Sequence, residues 1–125
     1  MLLCLLLLPG CAPAEGAGEG YTFTDDTGAA VTVTEKPETV AVLLSSLADL
    51  WITAGGTVDI TVGETVERGF AAESVILVDA GAGKTIDLEG LIAAQPDFVL
   101  YSSDLSGQLE CADTLRTAGI PTAGF

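Results

Sequence analysis

The chain has 125 residues, of which 18 are acidic and 4 basic, with no histidine and a formal net charge of −14. That balance excludes nucleic acid as a partner, because phosphate contacts need clustered Lys and Arg, and it favours solubility. A hydrophobic content of 49% is too high for a disordered chain, and the length suits one domain. Without histidine, these residues supply no Ser-His-Asp triad, no common zinc site and no His-ligated haem. No enzyme activity and no cofactor are expected.

The first element is an apolar run, Leu2 to Leu8, closed by Pro9-Gly10-Cys11 and followed by Ala12, Pro13, Ala14, Glu15 and Gly16. A short apolar stretch ended by small residues reads as a secretory h-region with its cleavage site. It is too short to span a bilayer, which takes about 20 apolar residues; the other reading is a buried core segment, which the Glu/Gly stretch after it suits badly. Leu8-Pro9-Gly10-Cys11 resembles the lipobox of bacterial lipoproteins. The resemblance implies a signal peptide over residues 1–10, a diacylglycerol on Cys11, and a lipid-anchored, extracytoplasmic protein on a bacterial membrane. The basic n-region of such a leader is missing, since Leu2-Leu3 follow Met1 directly. That points to an upstream start or a clipped N-terminus. Residues 11–20 then form the lipidated cysteine and a flexible tether, Glu15 to Gly20. Cys4 would leave with the leader. Cys111 would stand alone, a small core residue with no disulfide partner.

From Tyr21 the domain begins. Tyr21, Phe23, Val31 and Val33 alternate with polar residues around the turn Asp25-Asp26-Thr27-Gly28, which predicts a β-hairpin closed by Lys36-Pro37. The pattern then changes to strand–helix alternation. Thr39–Leu44 is a continuous apolar run, as in a buried parallel strand. Ser45-Ser46 are placed to cap a helix over Leu47–Ala54, ended by Gly55-Gly56. Val58–Val62 is a second strand, and GETVERG after it reads as a polar loop. Val75–Val78 is a third strand. Asp87 caps a short helix, Leu88–Ala94, which Pro96 terminates. Phe98–Tyr101 is a fourth strand. Leu105–Ala118 is a helix with Leu109, Ala112, Leu115 and Arg116 in helical period, and Ile120-Pro121-Thr122 opens another strand.

This order predicts an α/β fold: a Rossmann-like parallel sheet of four strands with helices on both faces, preceded by the hairpin. Ligands of such sheets bind beyond the carboxyl ends of the strands. The loops gathered there are Ser45-Ser46, Gly63–Gly69, Asp79–Thr85 and Ser102–Asp104. Within the third of them, GAGKT follows a strand and imitates a phosphate loop. The full pattern needs glycine where Val78 stands, and Asp79 would oppose phosphate, so a plain glycine-rich turn is preferred. Glu64 and Glu67 lack calcium-loop spacing, and no metal site is expected.

Four sequence words carry a family resemblance: FTDDTGAAVTVTEKPETVAVL, SSLADLWITAG, IDLEGLIAAQPDFVLYSSD and LRTAGIP, in that order. They resemble the N-terminal lobe of ABC-transporter substrate-binding proteins of the iron-siderophore, haem and cobalamin class, from about Tyr21 to Phe125. The resemblance implies one lobe (residues 21–125) of a two-lobe binding protein, a small-molecule ligand of metal-chelate type, and delivery to an ABC permease. The linking helix and second lobe of that family have no counterpart in these words, which reads as a C-terminal truncation. The resemblance places permease docking on Glu89; the other reading is a solvated glutamate favoured by the helix dipole. It places ligand contacts on the loops already named. There Arg68 and Lys84 can meet a carboxylate or anionic iron chelate, and Tyr101 can stack on an apolar ligand. Ser45, Ser46 and Ser102 line the same edge, although Ser45-Ser46 replaces the Ser-Pro pair frequent in matching lobes. For each, the other reading is a plain loop residue. The rival function is an independent surface lipoprotein that binds a partner protein.

Overall fold

In the computed structural model, residues 20–79 and 85–125 are described. The leader, Cys11, most of the tether and Lys84 lie outside them. The hairpin comes first, with β1 (Tyr21–Thr24) antiparallel to β2 (Ala30–Val33). The sheet follows as β3 (Val40–Val42), β4 (Ile60–Thr61), β5 (Ile76–Leu77), β6 (Phe98–Tyr101) and β7 (Thr122–Gly124). Its strand order is β5-β4-β3-β6-β7, and every pairing is parallel. The sheet thus has five strands where four were expected, because the segment opening at Ile120 completes a strand of its own along β6.

The helices are α1 (Ser45–Thr53), α2 (Gly63–Glu67), α3 (Leu88–Ala93) and α4 (Ser106–Thr117). Two expectations change here. Ser45 and Ser46 do not cap α1: the helix starts two residues earlier, at Ser45, Leu44 is its N-cap, and no side chain caps it. The GETVERG loop contains α2, with Thr65 buried against Thr61. Its five residues are too few and too polar to show a helical period. Asp87 does cap α3, its Oδ1 accepting from the Gly90 N–H at 3.0 Å.

Alternation along the strands divides the core in two. Ala41, Leu43, Ile60, Val99 and Tyr101 face Leu91 of α3 and Ala112 and Leu115 of α4. Val40, Val42, Phe98 and Leu100 face Ala48 of α1 and Val31 of the hairpin. Helices therefore cover both faces, as a parallel sheet requires.

The hairpin is attached through one carboxylate. The Asp25 side chain has no exposed surface. Its Oδ1 accepts from the Thr27 N–H and hydroxyl and from the Ala29 N–H, which shapes the turn. Its Oδ2 accepts from the Gly124 N–H at 2.9 Å and from Arg116 Nη2 at 3.4 Å. A methyl group at position 124 would come within 2.7 Å of the Tyr101 ring and 2.8 Å of Thr27, so only glycine fits under the turn. Burial pushes the Asp25 carboxyl up, but the hydrogen bonds from Thr27, Gly124 and Ala29 outweigh it and hold it below the usual carboxylate range.

A lowered folded-state value means that this stabilisation is present above the unfolded value and lost as pH falls through the folded one. Asp25→Asn is expected to cost about 2–3 kcal/mol at neutral pH, the loss of charge-assisted bonds around a buried group. In thermal melts, the gap in Tm between wild type and Asp25→Asn should be constant from pH 7 to about 5 and shrink below about pH 4, where the unfolded carboxyl takes up its proton before the folded one does. A gap unchanged at low pH would show that the charge on Asp25 carries none of this.

Candidate functional site

The chain passes from β3 outward to β4 and β5, then returns to the other side of β3 to form β6 and β7. The strand order reverses between β3 and β6, the position beyond which doubly wound sheets place their ligands. At this edge two segments face each other: Leu44–Ser46, the N-cap and first residues of α1, and the loop Ser102–Leu105, entering α4.

The ladder between β3 and β6 ends with the pair Val42 and Leu100, followed by one more bond from the Leu43 N–H to the Leu100 carbonyl at 2.9 Å. Beyond it the gap is bridged by a side chain. Gln108 of α4 is buried; its Oε1 accepts from the Ser102 N–H and its Nε2 donates to the Leu43 carbonyl, each at 2.8 Å. A parallel device joins the neighbouring loops. Asp79 Oδ2 accepts from the Gly63 N–H at 2.9 Å, tying the end of β5 to the start of α2. The edge is a set of loops held at fixed spacing.

The residues singled out from sequence fall into three groups. Ser46 is exposed on this edge, while Ser45 and Ser102 are almost wholly buried there. Arg68 is the C-cap of α2 and is exposed, its Nε 2.9 Å from Glu64 Oε1. Tyr101 is fully buried, and its hydroxyl accepts from Arg116 Nη2 at 2.9 Å, with the guanidinium 5.8 Å from the ring centroid. The stacking contact expected of Tyr101 has no free surface in this arrangement, because strand alternation turns the ring into the core under α4. Lys84 and Cys11 lie outside the described residues.

Glu89 is exposed in the first turn of α3. That helix begins at the same end of the sheet, since the Asp87 N–H donates to the Val78 carbonyl at 2.7 Å. Leu105 is 44% exposed and Leu109 36% exposed, one helical turn apart at the same edge. Sequence reading missed Gln108. A signal was present, for Gln108, Ala112 and Leu115 recur at helical spacing, and a polar residue on a buried stripe needs internal partners.

A groove lies elsewhere. Between α1 and the hairpin, over Phe98 and Leu100 of β6, a groove of about 640 Å³ is lined by Tyr21, Leu50, Trp51, Phe98, Leu100 and Phe125. It is almost wholly apolar and offers few groups to orient a polar ligand. Among the described residues, no group of three His, Cys, Asp or Glu side chains can hold a metal ion. Within them, no helix is long and apolar enough to cross a membrane.

No protein-family model and no curated protein matches the chain. Solved structures do. A haem-binding protein, HmuT, superposes with a TM-score of 0.67 at 20% identity over 85% of this chain and 34% of its own. BauB, solved with ferric iron and acinetobactin, gives 0.65 at 20% identity over 86% of this chain and 37% of its own. VctP from Vibrio cholerae, a periplasmic catecholate-siderophore binding protein, gives 0.66 at 17% identity over 86% and 37%. The fold is therefore that of haem- and siderophore-binding proteins, of which this chain spans one lobe. All three are binding proteins by description, and the chain covers 34–37% of their lengths.

Proposed function

We propose that this chain is the ligand-capturing first lobe of an extracytoplasmic solute-binding protein of an ABC importer. Its ligand is a metal chelate of the siderophore, haem or cobalamin kind, and it catalyses nothing. The observation that carries the reading is the switch-point edge between β3 and β6, built on a fold otherwise seen in proteins that bind such chelates. Contacts would come from Ser46 and the exposed part of the Ser102–Leu105 loop, with Arg68 and Lys84 at the flank. Cys11 would carry the lipid anchor, and Glu89 would pair with a permease arginine.

A lobe that presents one side of a cleft binds weakly, so the test must read weak association. Zinc protoporphyrin and the gallium complexes of a tricatecholate and a trihydroxamate are diamagnetic probes for amide NMR on the full chain. At least one is expected to shift Ser46, Ser103, Asp104 and Leu105. Shifts confined to the Tyr21–Trp51 groove, or none with any probe, would refute this reading and favour a protein-interaction module.

Two further outcomes follow for the partners. In membrane fractions of a bacterial host, Cys11→Ala should release the protein and abolish palmitate labelling; retention would mean another anchor. Exposed ion pairs contribute only about 0.2–1 kcal/mol each. Glu89→Ala should therefore leave Tm nearly unchanged yet lower stimulation of the transporter's ATPase. A large drop in Tm would mark Glu89 as structural.

A further inference from the structure

We propose that Gln108 is a positioning residue for ligand capture: by clamping Leu43 of β3 to Ser102 of β6 it sets the spacing of the two loops that would meet the ligand. The inference rests on the binding function proposed above and adds a residue to it.

Where a doubly wound sheet reverses its strand order, the two central strands part company at their carboxyl ends. Their chains leave in opposite directions, and the crevice between them opens. Here the last rung of the ladder is the Leu43 N–H to Leu100 carbonyl bond. The next two backbone groups, the Leu43 carbonyl and the Ser102 N–H, are not paired with each other. Gln108 stands between them and satisfies both at 2.8 Å. A carboxamide suits this position because it offers one donor and one acceptor at a fixed separation. Glutamate would keep the acceptor and lose the donor; methionine would fill the space and keep neither.

The clamp acts where placement matters. Leu44 caps α1 from directly beyond Leu43, and Ser46 is exposed one turn-position later. On the other side, Ser103, Asp104 and Leu105 follow Ser102 into α4, whose third residue is Gln108 itself. The Ser102–Leu105 loop is thus pinned at its start by the carboxamide and at its end by the helix bearing it. Gln108 is 6% exposed, so it supports the edge from beneath without touching what binds there. The crevice is filled by protein, and a ligand would rest across the loops instead of entering between the strands.

A purely structural Gln108 would lower stability and nothing else. The comparison that separates the two is Gln108→Met against Ile60→Val, a core truncation in β4 chosen for a similar modest loss in Tm. Full chains are titrated by amide NMR with zinc protoporphyrin and the two gallium chelates. For whichever probe binds wild type, Gln108→Met is expected to weaken binding about tenfold. Ile60→Val is expected to leave it unchanged. The Ser102 amide should exchange with solvent faster in Gln108→Met alone. Equal losses in both variants, or no loss in Gln108→Met, would overturn the inference while leaving the binding function standing. If no probe binds wild type, the binding function fails and this inference with it. Should Gln108→Met not fold, Gln108→Glu, which retains the acceptor for Ser102, is read against the same control.

Discussion

The buried carboxylate of Asp25 joins parts of the chain that share no strand pairing. It accepts five hydrogen bonds, and the partners on its second oxygen lie 91 and 99 positions away. A two-stranded hairpin is marginal alone in water. This one persists because its turn is fastened to β7 and α4, while Val31 and Phe23 pack on the sheet. The same contact fixes Arg116, which in turn holds the Tyr101 hydroxyl. An ionised group this deeply buried is tolerated only when its lone pairs are filled. Removing any one donor leaves the others to bear the desolvation.

That arrangement has a consequence for ligand chemistry. Arg116 is one of the chain's few cations, and this half-buried guanidinium is already held by Asp25 and the Tyr101 hydroxyl. Arg68 is paired with Glu64 on the surface, a contact weak enough for the guanidinium to leave it. The exposed switch-point edge itself offers hydroxyls, backbone groups, the Asp104 carboxylate and the apolar Leu105 and Leu109, but no cation among the described residues. On the proposed function, this lobe recognises the body of a chelate more than its charge.

Much of the architecture was legible because it is written in periodicity. TVAVLL and FVLY are runs apolar on both faces, which only a strand buried on both sides explains. Asp87 three positions before Gly90, with Pro96 beyond, marked α3. What escaped notice was of two kinds. The five residues of α2 make little more than one turn, and one turn shows no stripe. Ser45-Ser46 looked like a cap, yet capping depends on where the backbone turns helical, and Leu44 turns first. The other kind is long-range. Nothing local to Asp25 announces Gly124, and nothing local to Tyr101 decides whether its ring lies at the edge or under α4. Strand parity decides it, and parity is set by a register known only once β3 and β6 are paired.

The switch-point edge and the groove beside β6 differ in what they can orient. The groove between α1 and the hairpin is almost wholly apolar. Its walls come from the hairpin, α1 and β6, and a ligand site would need polar groups to orient its occupant. The switch-point edge has those groups at fixed positions, because Gln108 and Asp79 restrain the loops on which they sit. Fixed spacing lowers the ordering cost of binding, and that cost largely decides whether modest contacts yield affinity. A lobe with few cations at its edge depends on this preorganisation more than one that holds its ligand by ion pairs.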